Sequence, residues 1–265
     1  MAHFDGRGFK IQYVEQGEGR PVVFAHGFVM DHTMYAPQFE DLPDDYRCIA
    51  WDMRGHGQSE CPPGPWSMQD TVVDLVRFIE ETNAAPCHLV GMSWGGMQAI
   101  RVALQREDLV RSLVLIDTDA DAETPANVEA YQGFAAIIEQ QGLTDELLEG
   151  TLPMFYAEKY LTSEPDGVAV HRRRAKDMRP EALVEGLRAL TTRTSETDRL
   201  GQIRVPTLLI HGEKDAAIPI AKAEEMAHGI PNARLVRVPD AGHTTPLEAP
   251  DVVNREMAGF LAEVP

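Results

Sequence analysis

Short apolar or β-branched runs recur along the chain at residues 22–25, 48–52, 88–91, 112–117, 207–211 and 234–238, with helix-like stretches between them. Such alternation argues for a mostly parallel sheet covered by helices. Val72, Leu75, Val76 and Ile79 repeat at i, i+3, i+4 and i+7 behind Ser67, with Asp70 three residues after it. This spacing predicts an N-capped surface helix with one buried face. Val253, Met257, Phe260 and Leu261 repeat the helical period behind Pro250, whose missing N–H is harmless at a helix start. The final helix is expected to close the sheet.

The strand pattern stops between about Asp119 and Arg199. Val128, Tyr131, Ala135 and Ile138 share one helical face, Thr144 precedes a second helix with Leu147 and Leu148, and Pro180 opens a third with Leu183, Leu187 and Leu190. Three short amphipathic helices are expected to bury their stripes on the rim of the sheet. The predicted organisation is therefore an α/β core from residues 1–118 and 200–265, with a helical cap, residues 119–199, inserted in it. No internal repeat or low-complexity segment interrupts this plan.

Charge and composition narrow the partners. Of 265 residues, 42 are Asp or Glu and 24 are Lys or Arg, a net charge of −18. So acidic a surface repels a phosphate backbone and an anionic bilayer, which sets nucleic acid and membranes aside as partners. The 43% hydrophobic content suits a folded chain. Cys48, Cys61 and Cys87 form no C-x-x-C pair, and no apolar leader, long apolar run or N-x-[ST] sequon is present. Those features point to the cytoplasm. Residues 171–179, HRRRAKDMR, are a local basic exception. They read as a solvated helix face that neutralises nearby carboxylates, or else as a patch that steers an anionic substrate.

The most informative stretch is HLVGMSWGGMQ at residues 88–98, where an apolar run enters Gly91-Met92-Ser93-Trp94-Gly95 and then a helix. This is the G-x-S-x-G nucleophile elbow. The serine sits in a strained conformation on a tight strand-to-helix turn, and side chains two residues to either side would collide. A serine hydroxyl needs a base within hydrogen-bond reach and a group that fixes the tautomer of that base. Asp215 follows the run 207–211 in HGEKD, and His243 follows the run 234–238 in PDAGH. Ser93, Asp215 and His243 thus stand in the chain order of one particular fold.

The chain resembles the α/β-hydrolases over nearly its whole length. The match includes His26-Gly27-Phe28, the Asp52-x-Arg54-Gly55-x-Gly57-x-Ser59 loop, residues 113–117 (LVLID) and Gly242-His243. The resemblance implies an oxyanion hole from the backbone N–H groups of Phe28 and Trp94, and catalysis by Ser93, His243 and Asp215. It also implies a small-molecule carboxylic ester or lactone as substrate, since the motif runs look most like enol-lactonases and esterase-like acyl-homoserine lactonases. A perhydrolase or cofactor-free haloperoxidase would use the same triad, and a non-catalytic ligand receptor could be built on the same fold. Dehalogenases and epoxide hydrolases of this fold carry Asp at the elbow, where this chain has Ser93.

Other residues compete for roles. Asp117 is the rival to Asp215, since some relatives take their acid from that strand. His26, His56 and His211 read as structural, and Met154, Phe155, Tyr156 and Tyr160 as cap packing, with Met154, Phe155 and Tyr160 the candidates to line an acyl pocket. No H-x-H, H-E-x-x-H, paired-Cys or P-loop motif occurs, and the glycine run at Gly55 ends in Glu60. No metal or other cofactor is expected. Oligomeric state is not encoded in any of these patterns.

Overall fold

The computed structural model describes residues 2–43 and 45–264. Eight strands form one sheet: β1 (Ala2–Asp5), β2 (Lys10–Gln16), β3 (Arg20–Ala25), β4 (Tyr46–Trp51), β5 (Cys87–Met92), β6 (Val110–Ile116), β7 (Thr207–Gly212) and β8 (Ala233–Val238). Their spatial order is β1-β2-β4-β3-β5-β6-β7-β8. From β4 to β8 every pairing is parallel, and β1 and β2 add an antiparallel edge.

Alternation along the strands sorts their side chains into two cores. Val23, Ile49, Leu89, Leu113 and Leu209 bury against α2 (Met68–Glu81) and α3 (Trp94–Gln105), and against Met226 of α9 (Ile220–Gly229). Val22, Cys48, Val90, Val114 and Leu208, each one residue away along its strand, bury on the opposite face with Val253, Met257, Phe260 and Leu261 of α11 (Pro250–Glu263). Both faces are covered, so these strands read as continuous apolar runs. α2 begins as its spacing predicts: the Ser67 hydroxyl accepts from the Asp70 N–H, and the Asp70 carboxylate accepts from the Ser67 N–H at 2.9 Å.

Two features go beyond the hydrophobic pattern. β1 and β2 lie at the edge, where Ile11 is their one fully buried apolar side chain, so they present no apolar run. Between β6 and β7 the chain forms five helices rather than three: α4 (Pro125–Gln141), α5 (Asp145–Phe155), α6 (Glu158–Ser163), α7 (Pro165–Asp177) and α8 (Pro180–Thr191). α6 buries no residue, and α7 buries Val168, His171 and Ala175, a stripe too polar and too small to register as hydrophobic periodicity. The remaining α-helices among the described residues are α1 (Ala36–Asp41) and the short α10 (Thr245–Glu248). Among the described residues no helix is long and apolar enough to cross a membrane.

Candidate active site

β5 enters α3 through the elbow. Ser93 lies at φ 50° and ψ −115°, a conformation that costs a non-glycine residue roughly 1–3 kcal/mol and persists only where its surroundings over-determine it. They do so here. The Ser93 N–H donates to the Ile116 carbonyl at 2.9 Å, and the Ser93 carbonyl accepts from the Thr118 hydroxyl at 2.6 Å and the Met97 N–H at 3.0 Å. The turn also needs two bare Cα atoms. A Cβ on Gly91 would overlap the backbone of Gly95, and one on Gly95 would overlap the Ala25 carbonyl, forcing α3 away from β3.

The sheet brings the three distant residues together at the carboxyl ends of its strands. Ser93 Oγ stands 2.9 Å from His243 Nε2, and His243 Nδ1 stands 2.8 Å from Asp215 Oδ2. The other carboxylate oxygen of Asp215 accepts from the N–H groups of Ala217 and Ile218, which fixes its orientation. All three residues are buried. Burial pushes the Asp215 carboxyl up, but the His243 charge, the nearby His211 ring and the hydrogen bond from His243 outweigh it and bring the group down to about 2. For His243 burial pulls the pKa down, and the Asp215 charge and hydrogen bond then carry it above the ordinary histidine value.

Asp117 is also close, yet its oxygens are engaged elsewhere. They accept from the Gly212 N–H, the Thr245 hydroxyl and the Thr245 N–H. It is Asp215 that meets His243. Asp117, His211 and Asp215 present potential ligand atoms within 4.8 Å of one another. The hydrogen bonds to Asp117 and Asp215, and that from His211 Nε2 to the Ile218 carbonyl, make them a buried hydrogen-bonded cluster.

The loop after β3 lies against the serine: a Cβ on Gly27 would stand 3.3 Å from that of Ser93. His26 pins this loop. Its Nδ1 donates to the Gly27 carbonyl at 2.8 Å and its Nε2 accepts from the Met53 N–H at 2.9 Å, a pattern that requires the neutral ring. Burial lowers its pKa accordingly. The Phe28 ring packs on Trp94 at 5.6 Å between centroids. Trp94 is the first residue of α3, so its N–H has no acceptor within the helix. His56 is buried beside His26, and burial brings it down to about 3.

Of the three candidate pocket residues in α5 and α6, Phe155 has its ring centroid 6.3 Å from that of His243. Tyr160 stacks instead on Tyr156, and Met154 is exposed. Glu248 carries no signal in the hydrophobic pattern, though it binds several parts of the site. One oxygen accepts from the N–H groups of Ala157 and Gly242, and the other from the N–H and hydroxyl of Thr244. The α5–α6 connection is thereby tied to the loop that bears His243. Thr244 and Glu248, one helical turn apart behind Gly242-His243, are the trace of this in the sequence.

The basic segment is largely neutralised. Arg172 pairs with Glu149, Arg174 with Asp31 and Lys176 with Asp145, and Arg179 donates to the Cys61 carbonyl. Arg173 is exposed at the rim of a cavity of about 410 Å³ whose lining also includes Asp31, His32, Asp52 and Asp177. Ser93, Asp215 and His243 are not among the residues lining it.

A family model described as the alpha/beta hydrolase fold matches residues 20–250, and the chain belongs to that family of hydrolases. Three solved structures illustrate the likeness. A thermophilic esterase from Thermogutta terrifontis is 30% identical with a TM-score of 0.91, covering 97% of this chain and 94% of its own. The enol-lactonase from Burkholderia xenovorans is 26% identical with a TM-score of 0.92, over 98% of this chain and 100% of its own. Est816, an N-acyl homoserine lactone degrading enzyme, is 26% identical with a TM-score of 0.82, over 98% of this chain and 100% of its own.

Proposed function

We propose that this hydrolase cleaves small carboxylic esters or lactones through an acyl-enzyme formed on Ser93. The observation that carries this reading is the continuous relay of 2.9 Å from Ser93 Oγ to His243 Nε2 and 2.8 Å from His243 Nδ1 to Asp215 Oδ2. Ser93 Oγ attacks the substrate carbonyl while Nε2 takes its proton. The resulting oxyanion is held by the N–H groups of Phe28 and Trp94, which act where negative charge develops. Collapse breaks the bond to the leaving alkoxide, which receives the proton from Nε2. Water then gives a proton to Nε2, attacks the acyl carbon and releases the acid with Ser93 restored. In a lactone the alkoxide stays tethered to the acyl group.

The helical cap, residues 119–199, covers this site and holds the acyl group. Of Met154, Phe155 and Tyr160, we assign Phe155 to its wall, because of its ring contact with His243. The esterase and the two lactone-cleaving relatives support this substrate class. The test is a side-by-side turnover panel of an aryl acetate, an enol-lactone and an acyl homoserine lactone, with fluorophosphonate labelling of Ser93. Labelling together with turnover of at least one member is expected. Neither labelling nor turnover would leave a binding protein, and peracid formation outrunning hydrolysis in added peroxide would leave a perhydrolase.

A pH dependence follows. Protonated His243 cannot accept the Ser93 proton, so kcat/KM falls as pH drops through its pKa. That pKa is raised above the ordinary 6.5, which places the acid limb of the profile above pH 6.5. A profile of kcat/KM flat from pH 5 to 8 contradicts His243 as base.

A further inference from the structure

Behind the Ser93–His243–Asp215 relay lie two more buried ionisable side chains that the proposed chemistry does not use. His211, on β7, places Nε2 3.3 Å from Asp215 Oδ2, the same oxygen that accepts from His243 Nδ1. Asp117, just past β6, accepts from Gly212 N–H at 2.9 Å, and from the Thr245 N–H at 2.9 Å and hydroxyl at 2.8 Å. Gly212 precedes the loop that carries Asp215, and Thr245 lies two residues beyond His243. Asp117 therefore ties the acid loop to the base loop, and it does so in a left-handed backbone conformation, φ 46°.

We propose that Asp117 and His211 are positioning residues, a second carboxylate–imidazole pair that sets the proton affinity of His243 in opposite directions. The proposal rests on the reading of Ser93, His243 and Asp215 as the reacting set. Its physical basis is the sharing of one oxygen. The Nε2–H of His211 is held by the Ile218 carbonyl at 2.8 Å with Asp215 Oδ2 3.3 Å away, so the polar edge of the ring, and any positive charge it takes up, stabilises charge on that oxygen and weakens its hold on the His243 imidazolium. The Asp117 carboxylate acts the other way and favours the imidazolium.

The groups that face this cluster are few. His243 sees Asp215, Asp117 and His211, with the uncharged Phe155 ring above it and Glu248 of α10 bound to its neighbouring N–H groups. On its other side Asp117 faces Tyr35, whose hydroxyl donates to the Ala25 carbonyl. Burial drives the Asp117 carboxyl up to about 7, and the neighbouring carboxylates raise both imidazoles, so the protonation of each of these adjacent groups depends on the others.

A purely structural role predicts loss of stability with no directed change in proton affinity, and ¹⁵N-histidine NMR separates the two. His243 would be titrated in the wild-type protein and in His211→Phe, His211→Gln and Asp117→Asn, with thermal melts to check folding. His211→Phe is expected to raise the His243 pKa by about one unit and Asp117→Asn to lower it by about one unit. His211→Gln, which can return an N–H towards Asp215, should fall between wild type and the phenylalanine variant. The acid limb of kcat/KM for p-nitrophenyl acetate should move with these values. An unmoved His243 pKa in folded variants, or movement in one direction for both His211→Phe and Asp117→Asn, overturns the proposal. Should neither variant fold, the wild-type titration decides: coupled, biphasic curves for His211 and His243 support it, and independent single-site curves overturn it. The NMR readout needs no turnover, so a failure of the hydrolytic reading at Ser93 would be seen separately.

Discussion

Replacing Ser93 by alanine is expected to lower kcat for p-nitrophenyl acetate at least ~10⁴-fold, with Tm nearly unchanged. The fold should tolerate the change because the bonds that hold the elbow are made by the Ser93 backbone, to Ile116, Thr118 and Met97, and not by its hydroxyl. The hydroxyl itself has one partner to lose, His243 Nε2. Any activity that persists would come from a water molecule at the vacated oxygen position, with His243 as base and the oxyanion donors intact. Such residual catalysis is a small remnant in enzymes of this type. Kinetics on the purified variant, with circular dichroism as a check on folding, decide the matter. A variant within about tenfold of wild type would remove Ser93 from the reaction.

The strands β3 to β7 were legible because their central positions are buried on both faces and so appear as apolar runs, whereas β8, with Arg234 and Arg237 in it and only Val238 buried, was legible through its remaining apolar positions. β1 and β2 were not, since an edge strand with one buried face of mixed polarity resembles a loop. In the insertion, α7 hides because its inward stripe includes His171 and Ala175, which packing and not hydrophobicity selects. The site divides in the same way. Ser93, Asp215 and His243 stand at strand ends with local signatures, and the structure brings their side chains within hydrogen-bond reach. Glu248, and the cluster of Asp117 with His211, act through contacts between elements far apart in the chain, such as Thr245 with Asp117. No local spacing encodes those. The choice between Asp117 and Asp215 needed geometry as well, because both follow a strand and both are buried.

That choice yields the second large effect. Asp215→Asn is expected to lower kcat at neutral pH by ~10⁴-fold while leaving substrate binding nearly intact. In the native site Asp215 Oδ2 faces the Nδ1–H of His243, with His211 Nε2 3.3 Å away, and Oδ1 faces the N–H groups of Ala217 and Ile218. An asparagine keeps its oxygen towards the backbone pair, which turns its NH₂ towards His243 Nδ1. The ring must then carry its proton on Nε2, where it points at Ser93 Oγ and cannot accept from it. The loss is one of tautomer, so it should ease as rising pH ionises the serine without a base. Asp117→Asn should cost far less at any pH, because its oxygens serve Gly212 and Thr245 and not His243. If Asp215→Asn retained a tenth of wild-type kcat while Asp117→Asn lost ~10⁴-fold, the acid would belong to β6 and the assignment of Asp215 would fall.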